Sequence, residues 1–228
     1  MNSSETERRE PWLRRLYLPA YSVSVAARYA QAQPGTVSYW HYSTSKIGPA
    51  LPGKAKGAPL SYYQLVEVAF VATFRRLGIP LQRIRRAREY AAQTLEAEFP
   101  FAQYRWKTEG ANLLLELKEV EPETKLDALI IANSAGQTAW TPMVSDRFLE
   151  FDYENGIAIK WHVAGRESPV LIDPRISYGA PMVKGVPTWA LKGRSLAGEP
   201  DNEIAEDFGL ELNDLRAALT FEGVLDAA

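Results

Sequence analysis

The 228-residue chain contains no cysteine and only two histidines. The first absence excludes disulfides, thiol nucleophiles and zinc–thiolate sites, without assigning a compartment. The two histidines, His41 and His162, stand far apart and leave little for paired acid–base chemistry. The chain also lacks a glycine-rich phosphate loop, a metal-ligand spacing and a nucleophile elbow. Asp146, Asp152 and Glu154 can be drawn as a metal site, but an acidic loop and strand edge explains them more simply. No catalytic residue, metal or cofactor is expected, and the chain does not read as an enzyme. Long apolar runs are missing too. The longest, "YYQLVEVAFVATF", is broken by Gln64 and Glu67 and falls well short of a membrane span. The N-terminal "MNSSETERREPWLRRLYLP" is too charged for a secretory signal. A soluble cytoplasmic protein with no membrane partner is expected.

What is present is an ordinary globular composition with an unusual distribution of charge. Hydrophobic residues make up 46% and charged ones 24%, enough to bury real cores in one large domain or two to three small ones. The net charge of −2 conceals an asymmetry: residues 1–110 hold 16 Lys and Arg against 8 Asp and Glu, whereas residues 111–228 hold 10 against 20. One half suits a polyanion and the other half would be repelled by it.

Along the chain, Ser22 to Ala30 reads as a short helix with Ser22 or Ser24 as N-cap and Val25, Ala26 and Tyr29 on one face. A brief turn and Pro34-Gly35 lead to a second helix from Thr36 to Trp40. "KIGPALPGKAKGAPL", residues 46–60, reads as a loop or wing. Ser61 then caps an apolar helix over 62–77, closed by Gly78 and Pro80. Another helix runs over 81–97, its buried stripe marked by Leu81, Ile84, Ala87 or Arg88, Ala91 and Leu95. Beyond 99 the pattern predicts strands: two in "YRWKTEGANLLLEL" around a Glu109-Gly110 turn, and a hairpin in "FLEFDYENGIAIKWHV" with Asn155-Gly156 at its tip. Leu126 to Ala132 fits strand or helix. Helices return at Pro200–Phe208 and, after a Gly209 turn, at Leu212–Glu222, with Leu212, Leu215 and Leu219 on one face. The expected fold is α+β: a winged helix-turn-helix head at 1–97, a small β-rich unit at 98–165 and a small helical domain at 166–228.

Two short helices about a tight turn, a Gly/Lys wing and a basic helix pair satisfy the winged helix-turn-helix plan. Thr36, Ser38, Tyr39 and His41 would meet the major groove of duplex DNA, with Arg28, Lys46, Lys54 and Lys56 on phosphates. Residues 14–94 hold 12 Lys and Arg against Glu67 and Glu89 alone. Arg75, Arg76, Arg83, Arg85, Arg86 and Arg88 also fit a merely solvated helix surface. "YSVSVAARYAQAQPGTVSYWH", the wing, and "LSYYQLVEVAFVATFRRLGIPLQRIRR" resemble the MerR-like DNA-binding domain over residues 17–95. The resemblance implies that Trp40 packs inward, with Tyr39 and His41 flanking it on the exposed side.

Residues 170–222 resemble the domain-of-unknown-function family 433, through Asp173-Pro174, Gly179, Pro181, Gly185, Gly198-Glu199, Ile204-Ala205 and Ala218-Leu219. Val186-Pro187 stands where that family has Thr-Arg. Head, middle and tail together resemble VapB-type antitoxins over nearly the whole chain. That resemblance implies a type II toxin–antitoxin role: binding a PIN-like ribonuclease toxin, and repressing its own promoter as a homodimer on its operator. The acidic tail suits a basic toxin surface, and Trp189, Leu191, Phe208 and Phe221, with Glu203, Glu206 and Asp207, are the expected contacts. Glu211 and Asp214 add to the same acidic pair of helices. The alternative is a stand-alone MerR-like regulator sensing a small ligand through the middle segment.

Overall fold

The computed structural model describes residues 11–42, 49–51, 54, 57–120, 126–132 and 136–225. It is a mixture of helices and small two-stranded sheets. Contacts divide it into two compact units, Met1–Leu149 with Tyr153–Ala158, and Glu150–Asp152 with Ile159–Ala228.

The first unit opens with a 3₁₀ turn, Pro11–Tyr17, and two short helices. Helix α1, Val23–Tyr29, starts where the Ser22 hydroxyl accepts from the Val25 amide at 3.2 Å. Helix α2, Pro34–Tyr42, places Pro34 at its first turn, where the missing N–H costs nothing. Helix α3, Tyr62–Arg76, carries a reciprocal cap: Ser61 Oγ accepts from Gln64 N at 3.3 Å while Gln64 Oε1 accepts from Ser61 N at 2.9 Å. Every residue from Tyr62 to Phe74 except Gln64 is buried, so α3 is the central element of the unit. Gly78, at φ +80°, ends it, and α4, Leu81–Thr94, follows with Ile84, Ala87 and Ala91 buried as the periodicity requires.

Residues 104–120 correct the sequence reading. Helix α5, Tyr104–Val120, replaces the two expected strands. Its buried residues Trp106, Gly110, Ala111, Leu113, Leu114 and Leu117 recur at helical spacing, and Arg105 pairs with Glu109 at i, i+4 and 2.9 Å. Gly110 is there for closeness rather than for a turn. A Cβ on it would come within 2.5 Å of the Trp106 ring and 2.7 Å of the Trp140 ring. Strand β1, Ile130–Ala132, follows a 3₁₀ turn at Asp127–Leu129 and pairs antiparallel with β2, Thr138–Trp140, in the register Ile130↔Trp140. Helix α6, Pro142–Leu149, comes next. Among the described residues of 98–165 helix therefore outweighs strand, and "β-rich" does not describe them. The hairpin at Asn155-Gly156 does form, from β3, Phe151–Glu154, and β4, Ile157–Trp161, with φ +51° and +81° at the two turn residues.

An aromatic chain holds this unit together. Phe70 of α3 lies 4.9 Å from Phe148, Phe74 lies 5.4 Å from Phe101, and Trp106 lies 5.0 Å from both Phe101 and Trp140. The Trp140 indole donates to the Lys107 carbonyl at 2.9 Å. Among these rings α3 buries one carboxylate, Glu67, which accepts from the Phe101 amide at 2.9 Å and from Arg88 Nε at 2.5 Å. Burial pushes the Glu67 pKa up, against the opposing pull of Arg88 and the Phe101 amide.

In the second unit, β5, Met182–Val183, and β6, Val186–Pro187, form a hairpin closed by Lys184 and Gly185 at φ +48° and +86°. Three helices follow: α7, Thr188–Leu196, α8, Asp201–Phe208, and α9, Leu212–Phe221, with left-handed Gly209 between the last two. Val170, Val183, Leu191, Ile204, Leu215 and Leu219 form the core, against which Phe208 and Phe221 are half-buried. Leu215 and Leu219 point inward as expected, whereas Leu212 is exposed.

Candidate functional site

In the first unit, α1 and α2 pack against each other and bury Ala26, Ala27, Tyr29, Val37 and Trp40. Their outer surface carries Arg28 and Thr36, both exposed, half-buried Ser38, and Tyr39, which is 55% exposed. His41 corrects the sequence reading: it is 2% exposed and turned inward with Trp40. The spacing explains why. Val37, Trp40 and His41 stand at i, i+3 and i+4, one helix face, and Tyr39 lies on the other. Of the lysines, Lys54 Nζ donates to the Ala58 carbonyl and sits 5.2 Å from the Tyr42 ring centroid. Lys46 and Lys56, with part of the 46–60 segment, lie outside the described residues.

The arginines of α3 and α4 are largely committed within the protein. Arg75 donates to the Ile79 carbonyl at 2.6 Å, closing the turn after α3. Arg76 reaches the Ala30 carbonyl at 3.2 Å and Thr73 Oγ1 at 3.1 Å, tying the end of α1 to α3. Arg85 and Arg86 both face Glu89, at 2.8 and 3.9 Å, and Arg88 holds buried Glu67. A guanidinium paired with a buried carboxylate is neither a solvated residue nor a phosphate ligand. Arg14, Arg15 and Arg28 are exposed, and the Arg28 guanidinium lies 5.1 Å from the Tyr29 ring centroid.

In the second unit the expected contacts separate by burial. Leu191 is a core residue, three positions from buried Thr188 on the inner side of α7, so it offers no surface. Trp189, two positions before it, is 63% exposed. Glu203 and Glu206 are exposed on α8. Asp207 pairs with Arg194 at 2.7 Å, and the same guanidinium holds Glu199 and lies 5.6 Å from the Phe208 ring. Hydrogen bonds from Arg194 hold the Glu199 carboxyl below its usual pKa. Glu211 and Asp214 face Lys184 at 3.6 and 2.7 Å.

The spaced motif of this unit serves the backbone. Buried Asp173 accepts from the Arg175 amide and Nε, each at 2.9 Å, and from Nη2 at 2.7 Å. Ser177, Tyr178 and Gly179 then take three successive positive φ values, of +47°, +54° and +75°. Pro181 accepts from the Thr188 amide at 2.9 Å, and Gly185 closes the β5–β6 hairpin. Near the start of the unit, Asp152 receives Arg166 Nη1 at 2.6 Å and lies 3.1 Å from His162 Nε2. Burial raises its pKa, yet the bonds from Arg166 and His162 carry it below the ordinary value. Asp152 is thus bound up in an ion pair.

Residues 170–221 match DUF433, a protein family of unknown function. The match begins at Val170 in the core and ends at Phe221, so it spans the β5–β6 hairpin and all three helices of the DUF433 segment. Across 227 residues, 90% of this chain and 94% of the relative, the sequence is 25% identical to "Putative antitoxin VapB45" of Mycobacterium tuberculosis (strain ATCC 25618 / H37Rv). The structure is similar to the crystal structure of Rv2018 from Mycobacterium tuberculosis, with a TM-score of 0.77 and 25% identity, covering 89% of this chain and 98% of that one. Both similarities run well beyond the DUF433 segment into the first unit. Among the described residues no helix is long and apolar enough to cross a membrane.

Proposed function

We propose that this chain is the antitoxin of a type II toxin–antitoxin pair. Its first unit binds duplex DNA at its own operator, and its second unit binds and neutralises a PIN-like ribonuclease. The observation that carries this reading is the 25% identity, over nine tenths of the chain, to a protein described as an antitoxin. Charge supports the division of labour. The first unit holds 19 Lys and Arg against 15 Asp and Glu, and the second holds 7 against 13.

On the DNA side, α2 offers Thr36, Ser38 and Tyr39 to the groove, with Arg28, Lys46, Lys54 and Lys56 supplying phosphate contacts on either side. His41 acts with Trp40 as part of the support beneath that face. A homodimer on two half-sites about one helical turn apart, or a multiple of that, is the matching assembly. On the toxin side, Trp189, Phe208 and Phe221 are the apolar contacts, and Glu203, Glu206 and Asp207 the acidic rim.

Expression of the adjacent reading frame alone and with this chain tests the proposal. Growth arrest relieved by the full chain, together with a salt-sensitive shift of the promoter fragment that Arg28→Ala and Tyr39→Ala weaken, is the expected result. Growth arrest that the chain leaves unrelieved would overturn the antitoxin role. A promoter fragment that fails to shift at low salt would overturn the DNA role.

A further inference from the structure

Helix α7 presents an outer face that its own unit does not use. Trp189 and Leu196 are 63% and 67% exposed, with exposed Gly193 between them. Spacing of i, i+4 and i+7 puts all three on one side of the helix. The inner side is filled by Thr188 and Leu191. Gly193 has no left-handed φ, and a Cβ placed on it would meet nothing within 4 Å. Neither backbone conformation nor internal packing asks for glycine there, and a helix interior disfavours it relative to alanine. Two bulky apolar side chains on either side of a bare stretch of backbone leave a notch. Such a notch admits a side chain from an approaching helix and allows the two backbones to come close.

We propose that the notch formed by Trp189, Gly193 and Leu196 is the docking site for a helix of a cationic partner protein, seated by one apolar side chain over Gly193. The proposal takes the identity of the partner from the antitoxin reading and adds the surface and the mode of contact. The charge of the occupant follows from the surroundings. The two cations that flank Gly193 are already paired, Lys192 with Glu222 at 3.8 Å and Arg194 with Glu199 and, at 2.7 Å, with Asp207 of α8. Glu203 stands one turn before Asp207 on the same side of α8. Glu203 and Glu206 are exposed. A second copy of this unit would bring the same excess of 13 acidic over 7 basic residues to the notch. A lysine- and arginine-rich helix meets a complementary potential instead, which speeds encounter and fixes orientation.

The test uses the full chain and the purified product of the adjacent reading frame. Gly193→Leu should leave the circular dichroism unchanged and Tm equal or higher, yet weaken binding by about 30-fold or more, as an interface anchor does. Trp189→Ala should act in the same direction. Glu203→Lys with Glu206→Lys should slow association and flatten its salt dependence. Unchanged affinity in Gly193→Leu would overturn the notch while leaving the antitoxin role standing. Should the wild-type chain fail to bind that product, the antitoxin reading falls. A photo-crosslinking amino acid replacing Leu196, introduced in the native host, then decides the notch by itself. Crosslinking to an identified basic protein, lost on adding Gly193→Leu, supports it; crosslinking to a second copy, or to nothing, overturns it.

Discussion

Among the described residues two glycines sit in mid-helix, one in each unit, and their surroundings are opposite. Gly110 of α5 is walled in by the Trp106 and Trp140 rings, whereas Gly193 of α7 faces open space between Trp189 and Leu196. Each forgoes roughly 1 kcal/mol of helix propensity relative to alanine. In the first unit that cost is offset internally, because the missing methyl leaves room for the helix's own Trp106 ring and for Trp140 of β2. In the second unit nothing internal offsets it, which directs attention outward. The same residue type in the same secondary structure thus marks a packing site in one unit and an open surface in the other.

Buried charge sharpens this contrast from the side of the first unit. Arg88→Ala would leave Glu67 without its counter-ion, and a loss of about 3–5 kcal/mol of unfolding free energy is expected in urea titrations. The carboxylate also has a pH signature. Burial raises the Glu67 pKa, so the folded chain holds that proton more tightly than the unfolded chain. Its contribution is therefore full below the ordinary carboxylate range and declines as pH rises through the raised value. Glu67→Gln should remove that decline from the stability-against-pH curve.

Gly110→Ala comes next in size. The added methyl must push against two buried rings, and overpacking should outweigh the gain in propensity by about 1–3 kcal/mol, with disturbed near-ultraviolet tryptophan signals. Gly193→Ala is the smallest change and has the opposite sign. It should stabilise the chain by roughly 0.5–1 kcal/mol, visible as a small rise in Tm. Stabilisation by Gly110→Ala, or destabilisation by Gly193→Ala, would erase the distinction between the two sites.

The same contrast shows which features could be read from sequence. Helix α3 was legible because its signals are local: Ser61 and Gln64 cap it, and Gly78 with Pro80 stops it. The Asn155-Gly156 turn carries a dipeptide that favours positive φ, and its hairpin forms, whereas the Lys184-Gly185 hairpin has no such signal at its first position and was not read. Helix α5 was missed although Trp106, Leu113, Leu114 and Leu117 recur at helical spacing, because only half of the reason for Gly110 is local: Trp106 stands four positions before it, Trp140 30 positions after it. With that partner invisible, a glycine after a glutamate reads as a turn. The commitments of Arg76 to Ala30 and of Arg88 to Glu67 are equally long-range and left no mark on the local pattern. His41 and Leu191 are different, since the information was present. Their spacing from Val37 and Thr188 places each on an inner face, but residue type (polar for one, apolar for the other) suggested a contact role instead.

The antitoxin role is tested most directly by ribonuclease activity. The purified product of the adjacent reading frame, cleaving an RNA substrate, is titrated with the full chain in wild-type, Tyr39→Ala and Trp189→Ala forms. Stoichiometric inhibition by wild-type and Tyr39→Ala proteins, and a right-shifted titration for Trp189→Ala, are expected. Cleavage that continues undiminished in excess wild-type chain would contradict that role.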